Sequence, residues 1–183
     1  MSITKQKQQT AYLALLETFG YTSPMQSPRI EKVIVSSGVG KKRDKKQLEL
    51  IEDRLARITG QKPAPRAAKI SIASFKVRAG DTVGLQVTLR GARMFDFLDK
   101  LIHIALPRTR DFRGVPAKAI DDMGNLTIGI REHTIFPETS DEDLKDVFGL
   151  AITIVTTAKT HVEAEAFFRH IGMPLIVDSG VKH

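Results

Sequence analysis

Residues 82–90, TVGLQVTLR, alternate without a break: Val83, Leu85, Val87 and Leu89 fall on one side, and Gly84, Gln86, Thr88 and Arg90 on the other. A strict period of two predicts a β-strand covered on one face and open on the other. A chain holding such a strand needs a sheet with an apolar layer packed against one side only. Further strands are expected at 30–37 (IEKVIVSS), 66–73, 125–131 and 149–157, each rich in β-branched residues or alternating.

Helical spacing fills the gaps. Residues 3–18 read as a helix with apolar Tyr12, Leu13, Leu15 and Leu16, closed by Gly20. About 43–58 place Leu48, Ile51, Leu55 and Ile58 on one stripe, ended by Gly60, Pro63 and Pro65. Residues 92–106 carry the broadest apolar face, with Met94, Phe97, Leu98, Leu101 and Ala105, and stop at Pro107. A last helix covers about 160–171. The long loop PRTRDFRGVPAKAIDDMG has the length that often marks function. The order predicts an α+β fold: a mixed, mainly antiparallel sheet of about five strands with helices on one face, of split β-α-β type. We read 1–183 as one domain, with a basic part over about 1–113 and an acidic part over about 114–183.

With the apolar sets turned inward, alternation assigns the open face. It holds Gln86, Thr88 and Arg90 from 82–90, Lys69 and Ser71 from 66–73 (Ala68, Ile70 and Ile72 inward), Lys32, Ile34 and Ser36 from 30–37, and Thr127 and Arg131 from 125–131. No carboxylate stands at these positions. Cations bond phosphates, and hydroxyls and amides bond riboses and base edges. The set contains no aromatic residue, so it suits helical RNA rather than unpaired bases stacked on rings. The alternative, an ordinary solvated face, would mix both signs.

Charge is divided along the chain. Residues 1–113 carry 22 Lys/Arg against 10 Asp/Glu, a net of +12, whereas 114–183 carry 6 against 11, a net of −5. The first part suits a polyanion, and the second faces water or a basic protein. Two loops extend the basic surface. Lys41, Lys42, Arg43, Lys45 and Lys46 follow the first strand, and Lys76 and Arg78 accompany Phe75 in a projecting connection. Phe75 reads equally as a core anchor and as a contact residue.

Enzyme chemistry finds little support. SGVGKK lacks both the first glycine and the final Ser/Thr of a phosphate loop, since position 35 is Val and Lys42 follows Lys41. The five histidines show no ligand spacing, and His103 reads as a packed or rim residue. There is no cysteine, and no cofactor is implied. No run of about 18 apolar residues predicts a membrane span, and the polar start MSITKQKQQT does not read as a signal peptide.

Eight segments, in order and across nearly the whole chain, carry a resemblance: MQSPRIEKV at 25–33, SGVG at 37–40, ITGQKP at 58–63, SFKVRAG at 74–80, VTLRGARMFDFLDKLI at 87–102, PRTRDFRG at 107–114, GNLTIGIREHTIFPE at 124–138 and GLAITIVTTAK at 149–159. The sequence resembles the bacterial-type L-five family of large-subunit ribosomal proteins. The resemblance implies a structural, non-enzymatic protein of the ribosome's central protuberance, in the cytoplasm or an organelle. Its implied partners are 5S rRNA, large-subunit rRNA, P-site tRNA, the small-subunit protein S-thirteen and neighbouring central-protuberance proteins, with no membrane.

In the family, an Asn of the first strand, the Gln of GQKP, and the Thr and Arg of VTLRG contact 5S rRNA. These fall on Ser36, Gln61, Thr88 and Arg90. Ser36 departs from the pattern, being shorter than asparagine and without its amide. The basic stretch after GQKP is also broken here, because Ala67 and Ala68 separate Arg66 from Lys69. The expected 5S set is Lys32, Ser36, Gln61, Arg66, Lys69, Ser71, Gln86, Thr88 and Arg90. The resemblance assigns Phe75, Lys76, Arg78 and Gly80 to P-site tRNA. It assigns residues 136–146, with Pro137, Glu138, Asp141, Glu142 and Asp143, to an inter-subunit bridge with S-thirteen. Two competing readings are a nucleotide-dependent enzyme using the GVGKK turn and a regulatory RNA module acting off the ribosome.

Overall fold

The computed structural model describes residues 2–40, 45–139 and 147–176. Five strands form one open sheet in the order β2-β3-β1-β6-β5, with antiparallel neighbours. They are β1 (Ile30–Gly38), β2 (Ala64–Ala67), β3 (Thr82–Leu89), β5 (Leu126–Ile130) and β6 (Leu150–Thr156). A separate short pair, β4 (Val115–Pro116) with β7 (Leu175–Ile176), is parallel. By its contacts the chain divides into two compact units that interleave along the sequence.

One unit comprises Ile34–Leu89 and Gly129–Ile152. Alternation works here as expected except at Val83, which is only half-buried at the start of β3. Val35, Leu85, Val87, Leu89, Ile130, Leu150 and Ile152 are buried, while Ile34, Ser36, Gly84, Gln86 and Thr88 are only half-buried. Helix α2 (Lys45–Thr59) covers the inner side with Ile51, Leu55 and Ile58. Each such side chain contributes about 1.5–3 kcal/mol on leaving water. His133, which the sequence did not mark, is fully buried and stacks on Phe148 at 4.2 Å. Its ring lies 3.4 Å from the buried guanidinium of Arg54 on α2.

The second strand differs from expectation. It spans Ala64–Ala67 rather than 66–73, and Ile70 and Ile72 are exposed instead of inward. Lys69 and Ser71 therefore stand on a hairpin beyond the sheet. Pro65, read as a breaker, sits inside β2. That strand is at the sheet edge, where a missing N–H goes unused.

The other unit comprises Met1–Val33, Arg90–Ile128 and Thr153–His183. Helix α1 (Ile3–Phe19) packs against α3 (Gly91–Lys100) and α4 (His161–Ile171). It buries Thr4, Ala11 and Leu15, whereas Leu13, expected in its apolar set, is 71% exposed. The carboxylate of Asp99 on α3 closes the start of α1, accepting from the backbone N–H groups of Ile3 (2.9 Å) and Thr4 (2.8 Å). Burial pushes the Asp99 carboxyl up, but hydrogen bonds from Ser2, Thr4 and Ile3 together outweigh it and hold the group below the usual carboxylate range. Burial also raises Tyr21, as does its hydroxyl donating to Glu163 at 2.6 Å. The helix expected over 92–106 is α-helical only to Lys100. Residues Leu101–Ala105 continue it as a π turn before Pro107.

Candidate nucleic-acid interface

The open face of the first unit is built around β3. Its outward residues Gly84, Gln86 and Thr88 lie between β1 and the edge strand β2. Register places Arg66 of β2 opposite Gly84 and Ala64 opposite Gln86. The Arg66 Nε–H then donates to Gln86 Oε1 at 2.7 Å, which ties an exposed guanidinium to the neighbouring strand.

Gln61 reaches the same face from the end of α2. Gly60 adopts the left-handed conformation (φ 68°) and its N–H closes on Ala56 O at 2.8 Å, turning the chain sharply. The Thr59 hydroxyl lies 2.6 Å from Leu55 O and accepts from the Gln61 N–H at 3.4 Å, pinning the next residues. The Gln61 Nε2 amide thereby donates to the backbone carbonyl of Thr88, at 3.4 Å. Gln61, Arg66, Gln86 and Thr88 are thus brought together. Thr59 does the positioning and was missed; only its place next to a helix-ending glycine could have flagged it.

On β1, the Ser36 hydroxyl donates weakly to Ala151 O at 3.4 Å, and Ile34 stands beside it. The Thr88 hydroxyl has no partner among the described residues. At the end of β3, Arg90 is exposed and its guanidinium is likewise unpaired among the described residues. In the other unit Lys32 is half-buried, and the Thr127 hydroxyl lies 3.1 Å from that of Thr153. Arg131 is exposed at the end of β5. None of these outward positions carries a carboxylate.

The hairpin over 68–81 continues beyond β2, and its Lys76, Arg78 and Asp81 line one cavity with Leu48 of α2 and Thr82. Its stem is tied by Ala68 N–H to Asp81 O (2.8 Å), Gly80 N–H to Ala68 O (3.0 Å) and the reciprocal pair Ile72/Val77. Ser71 is exposed, and its hydroxyl ties the stem by accepting from Ala79 N–H at 2.9 Å. A single 3-10 turn, Ala73–Phe75, makes the tip, and Lys76 follows in the left-handed region. Phe75 and Ile70 are each 72% exposed, so Phe75 is no core anchor. Lys69, Lys76, Arg78 and Gly80 are exposed as well.

Lys41, Lys42, Arg43 and the side chain of Lys45 lie outside the described residues, while Lys46 is exposed on the first turn of α2. Pro137 and Glu138 are exposed on a short 3-10 turn, whose Thr139 hydroxyl is buried and donates to His133 O at 3.1 Å. Asp141, Glu142 and Asp143 lie outside the described residues. His103 is exposed. Among the described residues no helix is long and apolar enough to cross a membrane.

Comparison with known proteins gives consistent matches. Residues 23–78 match the family model described as ribosomal protein L5, and 82–175 match the model for the C-terminus of the same ribosomal family. The large ribosomal subunit protein uL5 of Heliobacterium modesticaldum is 48% identical over 176 residues, covering 95% of this chain and 98% of the relative. That of Rubrobacter xylanophilus is 52% identical over 162 residues (88% and 90%), and that of Anaeromyxobacter sp. (strain K) is 48% identical over 161 residues (87% and 89%).

Proposed function

The chain belongs to the ribosomal protein L5 family, and from that premise we propose that it binds 5S rRNA through the open face centred on β3 and helps anchor that RNA in the central protuberance. Membership makes it a structural, non-enzymatic constituent of the large ribosomal subunit, with ribosomal RNA as its partner. The observation that carries the 5S reading is the grouping of Gln61, Arg66, Gln86 and Thr88 on one carboxylate-free surface. Ser36 of β1 belongs to the same unit, and the reading counts Lys32 and Arg90 among the 5S contacts as well. A preset Arg–Gln–Thr surface offers a fork for phosphate and neutral donors and acceptors for 2′-hydroxyls, which is how folded RNA is read.

The hairpin takes the P-site tRNA. Its support is the exposed Phe75 with exposed Lys76, Arg78 and Gly80 beside it. Exposed apolar side chains next to cations fit a stacked or ribose-lined RNA surface. Lys69 and Ser71, placed on the hairpin, join this contact only as its stem. Residues 136–146 face the small-subunit protein S-thirteen, a reading that rests on the net charge of −5 over 114–183 and on exposed Pro137 and Glu138.

The test is binding of purified protein to 5S rRNA and, in parallel, to tRNA across a salt series. Tighter binding to 5S rRNA, with a log–log slope of about −0.7 to −0.9 per phosphate contacted, is expected. Equal, weak affinity for both RNAs at physiological salt would count against the proposal.

A further inference from the structure

The buried stripe of α2 falls on positions 51, 54, 55 and 58, the i, i+3, i+4, i+7 set that a helix turns to a core. Three of these are Ile51, Leu55 and Ile58, and the fourth is Arg54, which is 8% exposed. A cation at a core position loses its hydration, and an apolar side chain of similar volume would pack there without that cost. Arg54 lies on the covered side of the sheet, so it does not touch RNA bound to the open face. What it meets is a fixed post. Its Nη1 lies 3.4 Å from Nε2 of the fully buried His133. A guanidinium only donates, so Nε2 accepts. Phe148 N–H lies 3.4 Å from Nδ1, and a neutral ring accepts at one nitrogen only; of the two donors the charged one bonds more strongly. His133 is held by backbone and ring alike. Its N–H donates to Phe148 O at 3.1 Å, its carbonyl accepts from Phe136 N–H and the Thr139 hydroxyl, both at 3.1 Å, and its ring stacks on Phe148 at 4.2 Å.

We infer that Arg54 and His133 are positioning residues for the 5S interface: the pair fixes the axial position and rotation of α2 and so sets where Gln61 sits. Apolar packing by Ile51, Leu55 and Ile58 is non-directional and leaves a helix free to slide or turn slightly. A hydrogen bond from a buried guanidinium is directional and removes that freedom. Thr59 follows about 7.5 Å further along the axis. Its hydroxyl accepts from Gln61 N–H, and the Gln61 amide donates to Thr88 O at 3.4 Å. That last bond is already long, so a displacement of α2 by a few tenths of an ångström breaks it. The inference rests on the reading of Gln61 as a 5S rRNA contact, and it names what holds that contact in place.

The experiment is a double-variant cycle on the full chain, read by 5S rRNA affinity. Arg54→Met fills the core position without a charge, so its thermal midpoint should equal or exceed wild type. Its 5S affinity should nevertheless fall about fivefold, as one lost neutral hydrogen bond requires. Gln61→Ala alone should cost about the same, and the double variant no more than Gln61→Ala. Losses that multiply to about 25-fold overturn the inference, because Arg54 then acts without Gln61. So does wild-type affinity in Arg54→Met. His133→Gln keeps an acceptor for the guanidinium and should bind 5S rRNA as wild type does; a loss equal to that of Arg54→Met removes His133 from the account. If Arg54→Met does not fold, Arg54→Gln, too short to reach His133, repeats the comparison. A second readout needs no RNA: the Gln61 side-chain amide resonance of the free protein should move in Arg54→Met and stay in His133→Gln. If the wild-type chain does not bind 5S rRNA, or Gln61→Ala binds it as well as wild type, the 5S reading of Gln61 fails instead. The pair is then judged on that resonance alone, and an unmoved signal in Arg54→Met overturns it.

Discussion

The β3 face and the 68–81 hairpin adjoin in sequence yet are built on opposite principles. The face is a polar layer laid over a core: Leu85, Val87 and Leu89 are buried beneath, and Gln61, Arg66 and Gln86 are already bonded within the layer. The hairpin has a ladder but no core, and it leaves Ile70, Ile72 and Phe75 in water. The first is held by bonds already made, which would limit the entropy lost on docking; the second leaves apolar area exposed. The contrast teaches that one polar surface here is set by a core beneath it and the other by a backbone ladder alone.

Disturbing the scaffold should give the largest effect. Leu89→Ala removes a fully buried side chain beneath the face and should cost about 2–5 kcal/mol of stability, read by denaturant unfolding. Next in size, Arg90→Ala should weaken 5S rRNA binding by about tenfold or more, since a charge-assisted bond is worth about 1.5–3 kcal/mol, while stability is unchanged. Thr88→Val should weaken the same binding by about fivefold, the value of one neutral hydrogen bond near 1 kcal/mol. Wild-type affinity in both variants would remove the face from the binding account.

How much of this was legible in the sequence follows from the same contrast. Residues 82–90 were readable because their two faces differ chemically as well as geometrically. Residues 66–73 were misread because Ile70 and Ile72 alternate just as well, yet alternation reports an extended backbone and not a layer that covers it. Leu13 failed likewise, as an apolar residue within a helix but off its buried stripe. The link from Gln61 to Thr88 joins residues 27 apart. No local pattern encodes it, and only the family resemblance put both residues on one list.

Two smaller effects sharpen the comparison. Asp99 lies outside both regions, and its depressed pKa stabilises the fold fully above the unfolded carboxylate value of about 3.9. That contribution is lost as pH falls through the lower folded value. The stability gap between wild type and Asp99→Asn should therefore be constant near neutrality and shrink on acidification, with 5S binding at neutral pH unaffected. Smallest of all, Phe75→Ala should change stability by no more than about 0.5 kcal/mol and leave 5S affinity intact, because the ring is exposed. A loss of stability above that would mean the ring anchors the hairpin.

Hydroxyl-radical footprinting of 5S rRNA tests the central claim most directly, using wild type, the Thr88→Val/Arg90→Ala double variant and Phe75→Ala. The expected result is one protected patch on the RNA with wild type and Phe75→Ala that fades with the double variant. Protection that survives the double variant, or disappears with Phe75→Ala, would contradict a 5S interface on the β3 face.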